Sequence, residues 1–328
     1  MSKVTVSVFR PIACIALALL VQHSHASAQT GNVSNEAPAT RARASSQQIV
    51  GPTIADKASE LYSFERHLID SVDGKRHYRI EIAIPRKVPP ATGFAVLYML
   101  DGNAAMATLT EDDLARLART DSPVLVAIGY DVNTRHDVMA RAYDYTPPNP
   151  TGKADLPTPV VRGRPGGGAD LFLQLIQTRI KPAVAARVPI DPKREYLWGH
   201  SYGGLFTLYT LLTQPDAFAR YIAGDPSAWW NDGVLAQFSR TFEPGEVAAK
   251  RVAIMVGTQP RENPRPTQQP SHAAGALTPA DPRNVTQEIT DKLRQAGSQA
   301  TYQTFPDASH GDMLAISLRR ALEIATTR

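Results

Sequence analysis

The sequence predicts an α/β fold: a single domain whose mostly parallel central sheet is flanked by helices and interrupted by Pro/Gly-rich insertions. Two apolar runs, FAVLYMLDGN (94–103) and PVLVAIGYD (123–131), are short and nearly continuous, as in strands buried on both faces. Such runs alternate with stretches of helical spacing, which favours a parallel sheet covered on both sides. The 328 residues are 43% hydrophobic and 20% charged, which is ordinary for a globular protein, and we find no internal repeat or second core.

The predicted elements follow one another in a regular order. YSFERHLIDS (62–71) and HYRIEIAIP (77–85) predict an antiparallel pair joined by a turn at Asp73-Gly74, and the two buried strands come next. The remaining predicted elements are the helix DLFLQLIQTRIKPAVAARV, the strand EYLWGHS, the helix GLFTLYTLLTQ, the strands RYIAG and RVAIMVG, a helix near 284–296, the strand TYQTFPD and the closing helix DMLAISLRRALEIA.

Two long irregular stretches, 133–168 and 257–282, interrupt this order and are rich in proline and glycine. Loops of this length in a compact domain are commonly functional lids, with a solvated or disordered loop as the alternative.

The first 28 residues have the pattern of a secretory signal peptide. Lys3 and Arg10 precede the apolar run PIACIALALLV, and Ala26-Ser27-Ala28 reads as a cleavage site. The apolar run is shorter than the roughly 20 residues of a membrane span. We therefore expect export to the periplasm, cleavage after Ala28 and no stable membrane insertion.

The composition after this segment changes once more before the domain begins. Residues 29–55 are rich in Ser, Thr, Ala, Gln and Asn, which predicts a flexible leader, and residues 56–328 are predicted to form the domain. The single cysteine, Cys14, lies in the signal segment, so the exported chain would contain no disulfide.

Charge and histidine patterns exclude two classes of partner. The net charge is only +4 and no run of five Lys or Arg residues occurs, so a nucleic-acid partner is not expected. There is no H-E-x-x-H motif, and the six histidines after the signal segment are scattered. The sequence therefore predicts neither a metal site nor a cofactor.

The motif Gly199-His200-Ser201-Tyr202-Gly203 matches G-x-S-x-G and stands between a predicted strand and a predicted helix. This context is typical of a nucleophile elbow, in which a sharp turn exposes the serine hydroxyl at the top of the sheet. A tight turn that happens to contain serine is the alternative interpretation.

A serine nucleophile needs a base, and in such proteins the chain order is serine, acid, histidine. His272 lies in a Pro/Gln-rich loop, whereas His310 stands between the last strand and the closing helix, where the base is expected. For the acid, Glu262 follows RVAIMVG and is the first candidate. Asp225 is a competitor, Asp307 could be only a local loop contact, and a Ser–His dyad without an acid is also open.

The developing oxyanion of an ester substrate needs two N–H donors. The first is expected to be the Tyr202 amide. The second is expected from Gly102 or Asn103, in the turn that follows VLYMLD. Asp101 in the same turn could be a structural turn former.

Several stretches together carry a family resemblance, and they are LYMLDGNAAM, AIGY, RAYDYTP, LWGHSYGGLF, PSAWW and FPDASHGDM. From about residue 60 to residue 325, the chain resembles the putative-esterase branch of the α/β-hydrolases. Within that branch it is similar to periplasmic trilactone siderophore hydrolases that open enterobactin and salmochelin. The resemblance implies a single α/β-hydrolase domain and a serine esterase acting on a cyclic triester of catecholate-acylated serine in its ferric form. It also implies that Ser201 is the nucleophile and His310 the base.

The third triad member is weak or absent in that group. This chain departs from the family pattern at Asp225, where a small residue is more usual, and in the Pro-rich loop around Glu262.

A ferric tris-catecholate is trianionic and aromatic, so its pocket should supply arginines and flat side chains. The candidate substrate contacts are Arg141, Arg162, Arg164, Trp229 and Trp230. Iron would arrive with this small-molecule substrate and not on a protein site. Two other functions stay open: an esterase for a feruloyl or acetyl ester of a polysaccharide, and a periplasmic ferric-siderophore binding protein that has lost catalysis.

Overall fold

Ten strands are present in the described part of the chain, which in this computed structural model comprises residues 47–150, 158–259 and 282–327. They are β1 (Tyr62–Asp70), β2 (His77–Pro85), β3 (Phe94–Leu100), β4 (Val124–Tyr130), β5 (Val160–Val161), β6 (Arg164–Pro165), β7 (Ile190–His200), β8 (Arg220–Gly224), β9 (Arg251–Gly257) and β10 (Gln299–Phe305).

Eight of these strands form one sheet in the order β1-β2-β4-β3-β7-β8-β9-β10, and β5 and β6 form a separate hairpin. β2 is antiparallel to β1 and to β4, and all other neighbours in the large sheet are parallel. The predicted mostly parallel sheet is confirmed. Because a strand–helix–strand crossover returns each parallel strand to the same direction, the carboxyl ends of β3, β7, β8, β9 and β10 meet at one edge.

Helices connect the strands of the sheet. The segment after β6 is one continuous helical stretch that contains a π-helical turn at Ile176–Ile180. The helices are Gly102–Met106, Glu111–Ala118, Ala140–Asp144, Ala169–Leu175, Lys181–Ala185, Tyr202–Thr213 (the elbow helix), Leu235–Phe238, Pro244–Val247, Pro282–Gln295 and Asp312–Ala325 (the closing helix), with 3-10 turns at Ile54–Asp56 and Pro215–Ala217.

Both faces of the sheet are covered, as the two apolar runs predict. Along β3, Val96, Tyr98 and Leu100 belong to one hydrophobic core and Leu97 and Met99 to another. Since side chains alternate between faces along a strand, the two cores lie on opposite sides of the sheet. Apolar residues of the elbow helix belong to the first core, and those of the closing helix belong to the second.

The N-terminal boundary of the domain differs from the prediction. Ile49 bridges to Thr134, the Val50 amide donates to the Asn133 carbonyl at 2.8 Å, and Ile54 is buried in the core. The predicted leader, 29–55, is therefore too long at its C-terminal end, because residues near 50 add a backbone pairing to the loop after β4. The signal segment and residues 29–46 lie outside the described residues.

Parts of the two irregular stretches also lie outside the described residues, at 151–157 and 260–281. What is described of the first stretch includes the helix Ala140–Asp144 and the β5–β6 hairpin. Among the described helices we find none with the length and hydropathy of a membrane span.

Candidate active site

Ser201 stands at the joint between β7 and the elbow helix, with φ 60° and ψ −116°. A positive φ is costly for a non-glycine residue, and it holds the serine in a sharp turn. The turn requires glycine at position 199, because the backbone of Gly203 lies so close that a Cβ added at Gly199 would be 2.4 Å from the Gly203 carbonyl carbon. The Ser201 amide donates to the Gly224 carbonyl at 2.9 Å, which ties the turn to the end of β8.

Three side chains from this edge of the sheet form a continuous hydrogen-bonded chain. His310 Nε2 lies 3.0 Å from Ser201 Oγ, and His310 Nδ1 lies 2.5 Å from Asp225 Oδ2. The register explains how Asp225 reaches this position, because His200 pairs with Gly224 and the next residues, Ser201 and Asp225, leave adjacent strands at the same level.

Asp225, and not Glu262, is the acid that this geometry supports. Glu262, the first candidate from the sequence, lies outside the described residues. Both ring nitrogens of His310 are already hydrogen-bonded, to Ser201 and to Asp225, so neither is left to be oriented by a second carboxylate. The contact between His310 and Asp225 also disagrees with a Ser–His dyad that lacks an acid.

His200, which precedes Ser201 in the motif, holds His310 in place through a hydrogen bond to its backbone. Its Nε2–H donates to the His310 carbonyl at 2.8 Å, and the two rings lie 4.8 Å apart. Burial and then the neighbouring His310 hold the pKa of His200 well below its ordinary value, so its imidazole is neutral. Sequence reasoning missed His200 because its partner is a backbone carbonyl that lies 110 residues away.

Ser227 was also missed. Its Oγ lies 3.2 Å from Ser201 Oγ, and its side chain is buried. The stretch PSAWW attracts attention through its tryptophans, and no feature of the sequence indicates that Ser227 faces Ser201.

The predicted oxyanion segments lie against each other. Tyr202 is the first residue of the elbow helix, and Gly102 and Asn103 begin the short helix after β3. A Cβ added at Gly203 would lie 3.3 Å from Leu100 Cβ, at the end of β3. The N–H groups in the first turn of a helix point outward along its axis, so these two turns bring donors to the same region.

The side chain of Asn103 anchors its turn to the loop after β4. Its Nδ2 donates to the carbonyls of Tyr130 (3.1 Å) and Thr134 (3.0 Å), and its Oδ1 accepts from the Tyr130 amide. Only the backbone of Asn103 is thereby left for a role as oxyanion donor.

Arg141 is a structural residue in this geometry, which corrects its prediction as a substrate contact. Its Nε and Nη2 donate to the two carboxylate oxygens of Asp101 at 2.8 and 2.7 Å, and only 11% of its side chain is exposed. Burial alone would raise the pKa of Asp101, but Arg141 and then His136 outweigh burial and hold that pKa well below its ordinary value. The Arg141 charge is thus compensated by a carboxylate of the turn that precedes Gly102.

Arg162 and Trp229 lie together beside the elbow. The Arg162 guanidinium carbon lies 4.0 Å from the centre of the Trp229 ring, and that ring lies 6.0 Å from the Tyr202 ring. Arg162 is exposed and Trp229 is half-buried. Arg164 lies half-buried in β6, on the same hairpin.

Trp230, by contrast, is not available to a substrate. It is 1% exposed, and a Cβ added at Gly166 would lie 2.7 Å from its ring. An indole that is fully packed in the core cannot stack on a ligand, so its prediction as a substrate contact is wrong.

The arrangement can perform nucleophilic catalysis on a carbonyl, because a half-buried serine at a sharp turn is hydrogen-bonded to a histidine, and the histidine to an orienting carboxylate. Within the described ranges, no group of three His, Cys, Asp or Glu side chains is placed to hold a metal ion.

Comparisons with known proteins agree with this chemistry. A family model described as "Putative esterase" matches residues 71–312. The chain is 41% identical over 273 residues to the apo-salmochelin esterase of Escherichia coli O6:H1, covering 83% of this chain and 82% of that protein. It is 40% identical over 174 residues to the ferri-bacillibactin esterase BesA of Bacillus subtilis, covering 51% of this chain and 59% of that protein. The solved structure of the enterobactin hydrolase IroE in complex with DFP superposes with a TM-score of 0.69 and 38% identity, over 84% of this chain and 100% of that one.

Proposed function

The chain belongs to the putative-esterase family, and on that premise we propose that it is a serine esterase that hydrolyses the ester bonds of a catecholate trilactone siderophore. The observation that carries the proposal is the hydrogen-bonded chain Ser201–His310–Asp225 in a protein 41% identical to an apo-salmochelin esterase. The fold is that of an α/β-hydrolase, and the enzyme is a carboxylic ester hydrolase.

In the first half of the reaction, Ser201 Oγ attacks the carbonyl carbon of the ester, and its proton passes to His310 Nε2. The carbonyl π electrons move to the oxygen, where the amides of Tyr202 and of Gly102 or Asn103 donate to the oxyanion. Collapse of the tetrahedral intermediate breaks the ester bond, and the departing alkoxide takes the proton from His310. Asp225 orients the imidazole and stabilises its protonated form.

In the second half, His310 accepts a proton from a water molecule as that water attacks the acyl-enzyme. The tetrahedral intermediate then collapses, the bond between its carbon and Ser201 Oγ breaks, and Ser201 Oγ takes a proton from His310. The siderophore fragment leaves as a carboxylic acid, and the enzyme returns to its starting state.

Arg162, Arg164 and Trp229 are the proposed substrate contacts. A ferric tris-catecholate carries three negative charges and flat rings, which arginine and indole can both contact. Support comes from the 4.0 Å contact between Arg162 and Trp229, on a half-buried ring beside Tyr202. Iron belongs to the substrate in this proposal.

The proposal includes export to the periplasm, with removal of residues 1–28. It is supported by the signal-peptide pattern of the sequence. The mass of the protein recovered from the periplasm should correspond to a chain that begins at Gln29, and a protein that retains Met1 would contradict it.

The main test is mass analysis of the products after residues 29–328 are incubated with enterobactin, in iron-free and in ferric form. Linear trimer, dimer and monomer of the acylated serine are the expected products. Ser201→Ala should lose about 10⁴-fold or more in kcat, because the covalent pathway loses its nucleophile.

Feruloyl and acetyl esters of polysaccharides serve as competing substrates in the same assay. Faster turnover of these esters than of enterobactin would overturn the siderophore substrate but keep the esterase. Binding of enterobactin by the wild-type protein without turnover of any of these esters would overturn the enzymatic function altogether.

A further inference from the structure

Ser227 contacts the proposed nucleophile through both its backbone and its side chain. Its amide donates to the Ser201 carbonyl at 3.0 Å, and its Oγ lies 3.2 Å from Ser201 Oγ. The side chain is 1% exposed, so bulk water does not compete for this contact. Two residues upstream, Asp225 bonds His310, and the same loop therefore reaches both ends of the hydrogen-bonded chain.

A count of hydrogens shows which serine is the donor. The Asp225 carboxylate only accepts, so in the form of His310 that can act as a base, with one ring hydrogen, Nδ1 carries that hydrogen. His310 Nε2 then accepts, and the single hydroxyl hydrogen of Ser201 is donated to it. The contact between the two serines must consequently be donated by Ser227 Oγ–H to Ser201 Oγ.

We propose that Ser227 is a further catalytic residue, whose hydroxyl donates a hydrogen bond to the attacking oxygen of Ser201 and stabilises the negative charge that this oxygen acquires. A hydrogen bond to a charged acceptor is stronger than one to a neutral acceptor, so the contact strengthens as the proton leaves Ser201. An interaction that is stronger in the transition state than in the ground state accelerates the reaction.

The role is consistent with the proton balance of both half-reactions. When Ser201 Oγ bonds to the substrate carbon, its proton moves to His310 Nε2 and later to the leaving alkoxide, while Ser227 keeps its own proton. When the acyl-enzyme breaks down, Ser201 Oγ becomes the leaving group and again carries negative charge. Ser227 therefore assists acylation and deacylation by the same contact.

The inference rests on the proposed function only through the reactivity of Ser201, so its test uses no siderophore. Diisopropyl fluorophosphate forms a P–O bond to Ser201 Oγ and expels fluoride, and mass spectrometry gives the rate constant of labelling. Ser227→Ala should be labelled about 10-fold more slowly than the wild type, as expected for one lost hydrogen bond to a charged oxygen. Ser227→Cys, with a thiol that donates more weakly, should lie between the two.

Ser298→Ala is the matched control, because Ser298 is also a buried serine and its hydroxyl donates to the Val247 carbonyl at 2.7 Å. Its labelling rate constant should stay within about twofold of the wild type, since its hydroxyl touches no reacting atom. With p-nitrophenyl acetate, Ser227→Ala should lower kcat by about 10-fold and leave KM within about twofold.

A purely structural role would lower the melting temperature but not the labelling rate constant of the folded fraction. Labelling of Ser227→Ala within about twofold of the wild type, or faster, would overturn the proposal. If Ser227→Ala does not fold, Ser227→Cys decides by the same criterion. Failure of the wild type itself to be labelled at Ser201 would instead overturn the serine-esterase mechanism and the role of Ser227 with it.

Discussion

Individual residues at the carboxyl edge of the sheet are held by contacts that leave them little freedom. Ser201 keeps a positive φ because its amide and carbonyl are hydrogen-bonded to Gly224, Leu205 and Ser227. His310 is fixed through its ring by Asp225 and through its carbonyl by His200. Such fixed positions reduce the reorganisation that the reaction requires.

Replacement of Asp225 by Asn tests the identity of the acid. Asn removes the carboxylate that holds the Nδ1 hydrogen of His310, so we expect kcat to fall by about 10³–10⁴-fold. Glu262→Gln is the matched control and should change kcat less than about twofold. Steady-state kinetics on p-nitrophenyl acetate would measure both, and a larger loss from Glu262→Gln than from Asp225→Asn would contradict the assignment.

At the level of elements, short loops and hairpins determine which side chains surround Ser201. The β5–β6 hairpin carries Arg162 in a left-handed conformation, φ 54°, and holds its guanidinium over Trp229. The loop after β8 separates two neighbouring tryptophans, with Trp229 at the site and Trp230 in the core. The sequence WW cannot indicate this difference, because the difference depends on the packing of Trp230 against Gly166.

Neutralising the hairpin, as Arg162→Gln with Arg164→Gln, should separate charged from neutral substrates. We expect kcat/KM for a ferric catecholate trilactone to fall by about 10–100-fold, because charge-assisted contacts are lost. Turnover of p-nitrophenyl acetate should stay within about twofold, since the triad and the oxyanion amides are unchanged. Added salt should slow the first reaction more than the second.

Arg119→Gln with Arg320→Gln, which changes two exposed arginines outside the hairpin, is the control. It keeps the same net charge as the hairpin variant. An equal loss from the control pair would mean that overall charge, and not the hairpin, attracts the substrate.

For the molecule as a whole, the sequence predicted the mostly parallel sheet, because continuous apolar runs identify buried strands well. It did not identify the helix Glu111–Ala118. This helix begins at a capping box between Thr110 and Asp113, which is difficult to recognise among the other acidic residues of the first turn. The sequence also ranked Glu262 above Asp225, since chain order admits any carboxylate between Ser201 and His310. The register of β8 against β7 places Asp225 beside His310, and register is a property of the assembled sheet.

The stability of the whole domain should depend on the buried pair of Asp101 and Arg141. The pKa of Asp101 is lowered in the folded state from an ordinary value of 3.8. As the pH falls below about 4, the unfolded chain therefore binds a proton that the folded chain does not. This contribution to stability is complete above that pH and is lost as the pH decreases further.

Below pH 4, the free energy of unfolding of Asp101→Asn should fall less steeply with decreasing pH than that of the wild type. The difference in slope should be at most about 1.4 kcal/mol per pH unit, which corresponds to one proton. The substitution should also lower the free energy of unfolding by about 3–5 kcal/mol at pH 7, because Arg141 is left buried without its partner. Urea titrations at several pH values measure both effects. The exposed Glu60→Gln is the control, and an unchanged stability of Asp101→Asn at pH 7 would contradict the prediction.

The positions of the three proposed triad residues along the chain have a consequence for how activity is acquired. Ser201 and His310 are 109 residues apart, and Asp225 and His310 are 85 apart. Contacts of such high sequence separation form late, because a long loop must close before they are made. His310 follows β10, so a growing or refolding chain can contain the strand, turn and helix around Ser201 and still be inert. Esterase activity would then appear only with the last strand, and it would lag behind the helical signal in a refolding experiment.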